Sequence, residues 1–396
     1  MKTIFIVGAG FLQSFVIKKA KEMGYYTVTA DLDKNAIGFK YADDYAIIDI
    51  VNKEACLDFA KKHNIDGVLT AATEYGVLTT SYIAGKLGLP GLKYESAQRI
   101  KNKYSVRRCL FENNVDDMES AYEINGTTDI SALANKITYP VIVKPCDGSG
   151  SRGTSRVDSP DTFENACNFA MNNSISHTAE AETFISGNEY GAECIVIDGE
   201  IYVLAIMKKF MTVPPFYAEL GHTVPCGLTD SIEAKAKQCV ADAIRALDIN
   251  FGSVNADMII TDEGKVYIVD IGTRMGGNMI GPCIVPYGTG IDYMSAMIEN
   301  AFGDFKGFKK TAPTAVATKL LAFDGGTVKK IPDMKDISLE YDVEIYHHIQ
   351  QGMTINRYQT NLDGCGYIIA KDSDVAKAEK KAANALEEIK NHIFDC

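Results

Sequence analysis

The chain is 396 residues long, 46% hydrophobic and 23% charged, which suits two or three globular domains with a large core. A formal net charge of −12 and a pI near 5.1 exclude the broad basic face that a nucleic-acid partner requires, but leave room for a local pocket for a small anion. No apolar run approaches the roughly 20 residues that span a bilayer, so no membrane partner is expected.

Residues 3–7 (TIFIV) predict a buried parallel strand, followed by the turn Gly8-Ala9-Gly10 and a helix to about Gly24. YYTVTAD (25–31) predicts a second strand, and VNKEACLDFAKKHN then DGVLTA a further helix and strand. This alternation predicts a doubly wound parallel sheet. GAGFLQS begins like a dinucleotide fingerprint, with Asp31 or Asp33 in the ribose role. The third glycine is replaced by Ser14 or lies off register, so the turn is expected to face a substrate other than NAD. Thr73, Glu74 and Tyr75 follow DGVLTA at the carboxyl end of a parallel strand, where such sheets bind ligands, and are assigned to an acceptor pocket.

The pattern changes around Leu89-Pro90-Gly91. SAQRIKNKYSVRRCLFENN predicts one helix carrying Lys101, Lys103, Arg107 and Arg108, much of it a solvated face. From about 137 to 300 the strands become longer and antiparallel in pattern. VIVKP ends at Lys144 and opens into a loop holding Gly148, Ser149, Gly150, Ser151 and Gly153. A lysine at a strand end beside open backbone amides makes a cradle for a polyphosphate, although an ordinary glycine-rich hairpin has the same composition. EAETFISGNE then places Glu182 and Glu189 on either side of Gly187. On a linker between two lobes, one acid can accept from an adenine amine and the other from ribose hydroxyls; an exposed acidic turn is the alternative. Asp198-Gly199, between apolar runs, is a strong hairpin signal.

VNADMIITDEGKVYIVDIGTRMGGN predicts a second hairpin around Glu263-Gly264, with Asp257 and Asp270 at comparable distances from the turn. Two acids sharing a face repel unless a hard cation lies between them, and Arg274 is placed to reach a phosphate or carboxylate. PPFYAELGHTVPCGL supplies Glu219 and His222; the histidine can hydrogen-bond a phosphate or substrate carboxylate, or simply hold a loop. Beyond about 305 lie strand-like TAVATKLLAF and GYIIA and the charged helix DVAKAEKKAANALEEIKN. The ten cysteines include no pair closer than Cys226 and Cys239, which excludes C-x-x-C metal or redox spacing. Scattered thiols, and an N-terminus that runs straight into a strand, predict a reducing, cytoplasmic setting.

In this order, Lys103, the VIVKP strand with its glycine loop, E-x-F-I-x-G-x-E, and the paired acids followed by arginine resemble the ATP-grasp superfamily. The nearest likeness is to its carbamoyl-phosphate-synthase-like and L-amino-acid-ligase branch of carboxylate–amine ligases. The resemblance implies an α/β and α+β architecture. It would comprise a Rossmann-like pre-ATP-grasp domain (1–95), a two-lobed ATP-grasp domain (96–305, lobes meeting near 183–187) and a small C-terminal α+β module (306–396). It also implies ATP and Mg²⁺, with Mn²⁺ as a substitute, small-molecule carboxylate and amine substrates, and a homodimer. By position, Lys103 and Lys144 match the phosphate lysines, and residues 147–153 the phosphate-covering loop. Glu182 matches the adenine acceptor, with Thr183 and Ile185 as backbone contacts, and Glu189 the ribose acid. Asp257 and Asp270 match the metal ligands and Arg274 the acyl-phosphate arginine. Glu219 and His222 fall in an E-x-G-H-x-x-P stretch like that of amino-acid-ligase relatives, near the phosphoryl-acceptor pocket. One departure stands out: Gly272 replaces the usual asparagine ligand, leaving Asn278 as a candidate substitute. The implied reaction is amide formation through an acyl phosphate; carboxylation through carboxyphosphate and an inert nucleotide-binding module are the alternatives.

Overall fold

The computed structural model describes residues 1–394 other than Glu119, Ser149, Ser151 and Pro215. In the N-terminal layer the strands lie in the order Asp44–Ile47, Tyr26–Asp31, Thr3–Val7, Gly67–Thr70, all parallel. The two central strands are largely buried, while the outer Asp44–Ile47 alternates and forms an edge. Helices Phe11–Glu22, Lys53–Lys62 and Val77–Leu87 cover the sheet. Asp31 is committed to the first turn: its carboxylate accepts from the backbone N–H groups of Ala9 at 2.8 Å and Asp33 at 3.0 Å.

The basic segment after Gly91 is two helices, Tyr94–Ile100 and Lys103–Glu112, not the single helix expected. Asn102 breaks the run, its side chain capping the second helix through the Ser105 N–H, and so sets Lys103 at a helix start. Nor is the second helix broadly solvated. Arg107 is 3% exposed, ion-paired to Asp116 and donating to the Ile268 carbonyl at 2.8 Å.

Next comes a four-stranded antiparallel sheet in the order Ala121–Ile124, Ala179–Thr183, Val141–Pro145, Ser155–Val157. Helices Ile130–Ala134 and Pro160–Asn172 bury one face of it around Val141, Val143, Phe163 and Ala181. The other face looks toward an eight-stranded sheet ordered Val266–Gly272, Gly252–Ile260, Asn188–Ile197, Glu200–Met211, Glu219–Val224, Ala315–Leu320, Gly366–Asp372, Val343–His347. The expected hairpins are both present: Asp198 and Gly199 turn with φ of 51° and 79°, and Gly264 turns with φ of 74°.

The last three strands belong to the C-terminal segment, so the sheet runs unbroken past residue 305. The join is short, pairing Thr223 with Ala317 and Val224 with Val316. The closing helix Val375–Ile393 lays Ala378, Ala382, Ala385, Ile389 and Ile393 on one stripe against these strands. No helix among the described residues is long and apolar enough to cross a membrane.

Candidate active site

The two facing sheets enclose a cavity of about 540 Å³. Strand alternation decides which residues line it. Along Val141–Pro145 the valines point into the helix-covered core, leaving Ile142 and Lys144 for the cavity. Along Ala179–Thr183 the alanines take the core side and Glu180 and Glu182 the other. Lys144 lies opposite Glu180 in register; its Nζ is 2.6 Å from Glu182 Oε1 and 3.1 Å from Glu180 Oε1. The same ammonium donates to the Val269 carbonyl at 2.9 Å, tying the small sheet to the large one. Burial pushes the Glu180 carboxyl up to about 7 despite the nearby Lys144. Sequence reasoning missed Glu180, though the alternation A-E-A-E-T marks it as sharing a face with Glu182.

The floor carries the acids. Asp257 and Asp270 are register partners on adjacent strands, and both line the cavity. Asp270 is ion-paired to Lys103, which outweighs its burial and holds the carboxyl below its usual range. Burial raises the Asp257 carboxyl, against the pull of Lys209. Glu189 lies beside them, pushed up to about 7 by burial. Between the walls, Met118, Ile142, Phe184, Ile259 and Val269 form an apolar slot flanked by Glu182, Thr183 and Ile185. Gly187 is required at the crossing between lobes, because a Cβ there would meet the Ile260 carbonyl oxygen at 2.5 Å.

Gly148 and Gly150 line the cavity, and Gly153 closes the loop at φ 76° against Pro145 and Asn173. Ser149 and Ser151 lie outside the described residues. From this loop Arg152 donates to the Tyr75 hydroxyl at 3.1 Å, reaching the N-terminal layer. The neighbouring Glu74 pairs with Arg274 Nε at 2.8 Å, and Arg274 Nη1 donates to Asn255 Oδ1 at 3.0 Å. Arg274, Glu74 and Tyr75 thus form one group beside the cavity rather than lining it. Behind Arg274, fully buried Glu193 accepts from Asn255 at 3.1 Å, the Gly276 N–H at 3.0 Å and the Tyr293 hydroxyl at 2.6 Å. This network fixes the arginine loop, and none of Glu193, Asn255 or Tyr293 was legible as a site residue.

Lys209 was also missed. It sits on Glu200–Met211, on the same face as Ala205 and Met207, with a side chain 3% exposed. Its Nζ lies 2.8 Å from Asp257 Oδ1, 2.9 Å from Glu219 Oε1 and 4.0 Å from Glu189 Oε2. The available signal was a lysine on the buried register of an apolar strand. The second Glu219 oxygen accepts from the Asn278 amide. Burial alone would raise Glu219, but Lys209, His222 and Asn278 hold it down at about 2.

His222 stands behind Glu219, off the cavity wall, with Nε2 3.6 Å from Glu219 Oε2 and Nδ1 lacking a partner among the described residues. Burial lowers its pKa to about 4, so it is neutral above that pH. The unfolded chain, with histidine near 6.5, therefore takes up this proton first as pH falls. Stability from this group is complete above about 6.5 and is lost toward pH 4, a change of about 3 kcal/mol. His222→Gln is expected to remove that part of the acid sensitivity in urea melts at pH 7 and pH 4. Parallel curves for the two proteins would refute it.

Paired carboxylates lining a cavity of this size fit Mg²⁺, which takes one or two protein carboxylates and completes its shell with phosphates and water. Among the described residues no three His, Cys, Asp or Glu side chains form a ready-made metal cage.

Two sheets clamp a cavity lined by Lys103, Lys144, Asp257 and Asp270, a two-lobed arrangement that suits an ATP-dependent ligase. Residues 137–282 match the family model of the ATP-grasp domain, and residues 319–393 that of the L-amino acid ligase C-terminal domain 2. The chain thus carries an ATP-grasp domain followed by an L-amino acid ligase C-terminal domain. It is 25% identical over 358 residues to an uncharacterised protein of Sinorhizobium fredii, spanning 87% of this chain and 73% of that one. It is 25% identical over 256 residues to the L-arginine-specific L-amino acid ligase of Bacillus subtilis, spanning 62% and 61% respectively. The crystal structure of an L-amino acid ligase from Bacillus licheniformis superposes with a TM-score of 0.83 at 23% identity, covering 98% of each chain, and shares the fold.

Proposed function

We propose that this ATP-dependent ligase joins a small carboxylate, in the simplest case an amino acid, to an amine through an acyl phosphate. The observation that carries the reading is the convergence of Lys103 and Lys144 from one side, and Asp257 and Asp270 from the other, on one cavity. Each lysine meets a carboxylate there, Asp270 for Lys103 and Glu182 for Lys144, and an incoming polyphosphate supplies a stronger anion for both. Lys103 then frees Asp270, and Lys144 frees Glu182 for the adenine amine, with Thr183 and Ile185 offering backbone groups and Glu189 the ribose contact. The loop at 148–153 covers the phosphates. Asp257 and Asp270 would hold Mg²⁺, whose charge neutralises the transferring phosphate.

In the first step a substrate carboxylate oxygen attacks the γ-phosphorus and ADP leaves. In the second, an amine nitrogen attacks the acyl carbon, loses a proton, and inorganic phosphate departs. Arg274, swung from Glu74, holds the acyl phosphate. Glu219, backed by neutral His222, and the Glu74–Tyr75 segment face the substrates. The chain's work is charge placement and exclusion of water rather than covalent catalysis. Every described cysteine is a free thiol, which supports a reducing, cytoplasmic setting.

The test is a screen of amino acids with Mg-ATP, read by phosphate release and mass spectrometry. The expected product weighs one water less than its two substrates combined. Phosphate release that requires bicarbonate and no amine would replace this reading with a carboxylase. No nucleotide turnover with any acid would sink it.

A further inference from the structure

Lys209 has no part in the roles assigned above, yet it is the most enclosed cation of the site. We infer that Lys209 is a fixed cation of the reaction centre that stands in place of a second divalent ion, so that the nucleotide-loaded enzyme holds one metal per chain. The inference rests on the ligase reading and deepens it.

Three facts lead there. The Lys209 ammonium is wedged between Asp257 at 2.8 Å and Glu219 at 2.9 Å, with Glu189 at 4.0 Å, and its side chain is 3% exposed. Held by its strand near the cavity wall with almost no exposed surface, it stays among the acids when ligands enter. The position two residues past Asp270 offers no ligand, because it is Gly272, and a Cβ there would collide with the Glu74 carboxylate. Glu74 is in turn neutralised by Arg274 at 2.8 Å. Glu219 has both oxygens engaged, one by Lys209 and the other by the Asn278 amide.

The oxygens left for metal are therefore those of Asp270 and the outer side of Asp257. Two carboxylates plus phosphate oxygens and water complete a single octahedral shell. A second ion would have to lie against the ammonium, where like charges repel. Lys209 neutralises the centre without needing to be recruited, which is the preorganised placement that stabilises a developing phosphoryl charge.

The test counts metal ions without turnover. Mn²⁺ is titrated into the full chain saturated with a non-hydrolysable imido analogue of ATP, and free Mn²⁺ is read by electron paramagnetic resonance. One Mn²⁺ per nucleotide-bound chain is expected; two would overturn the inference while leaving the ligase reading intact. Failure of the analogue to bind would instead remove both. Lys209→Met is expected to take up a second Mn²⁺ and, at low free metal, to lose about 100-fold in kcat, recovered as metal is raised. Lys209→Arg, which keeps the charge, is expected to remain at one metal. Lys209→Met with one metal and unchanged kcat overturns the inference, as does a second metal in Lys209→Arg. Should Lys209→Met fail to fold, the wild-type and Lys209→Arg counts decide.

Discussion

Lys144→Ala is expected to lower kcat/KM for ATP by about a thousandfold, the scale of losing one cation from a phosphoryl-transfer centre. The loss has two parts that can be separated. Lys144 lies between Glu180 and Glu182, and its removal strands two buried carboxylates, a situation that costs about 3–5 kcal/mol in folding stability. The folded fraction must therefore be measured by thermal melting and the rate corrected for it. The double variant Lys144→Met, Glu180→Gln removes one of the two stranded charges and is expected to regain part of the stability but none of the activity. Undiminished turnover in either folded variant would show that Lys144 does not touch the nucleotide.

The second large effect is expected from Asp270→Asn, which preserves shape and removes one negative charge. Turnover should fall by about a thousandfold, since the carboxylate proposed to hold the metal and the counter-charge to Lys103 are lost together. Stability should move by about 1 kcal/mol, because the Asp270 side chain, though set within the cavity, remains 43% exposed to its water, and a partly exposed pair contributes little. This contrast with Lys144 is itself diagnostic: one variant is expected to be inactive and fragile, the other inactive and sturdy. A fragile Asp270→Asn would mean that the pair with Lys103 is structural. Full turnover in a sturdy one would remove Asp270 from the reaction.

Both variants probe a site whose parts differed in how plainly the chain announced them. Lys144, Glu182, Asp257 and Asp270 could be picked out because each ends or interrupts an apolar strand run beside a turn, and the spacing along one hairpin brings the two aspartates into register. The basic segment misled. Its composition reads as one solvated helix, but Asn102 caps a second helix and Arg107 is drawn inside by Asp116, a partner nine residues along that no periodicity identifies. The continuity of the eight-stranded sheet past residue 305 was equally hidden, because two residue pairs carry the join.

What the sequence by itself determined is whatever depends on local period and turn chemistry. That includes the parallel N-terminal layer, the two hairpins, the glycine loop after Lys144 and the order of the ATP-grasp motifs. What only the tertiary structure decided is the pairing of charges between elements far apart in the chain. Lys209 with Asp257 and Glu219, Arg274 with Glu74, and the Glu193–Asn255–Tyr293 network beneath the arginine loop are of that kind. The reason is physical. A side chain's face follows from its own strand, but the group it meets is set by how sheets stack, and a charge buried by that stacking must find its partner wherever the fold delivers one.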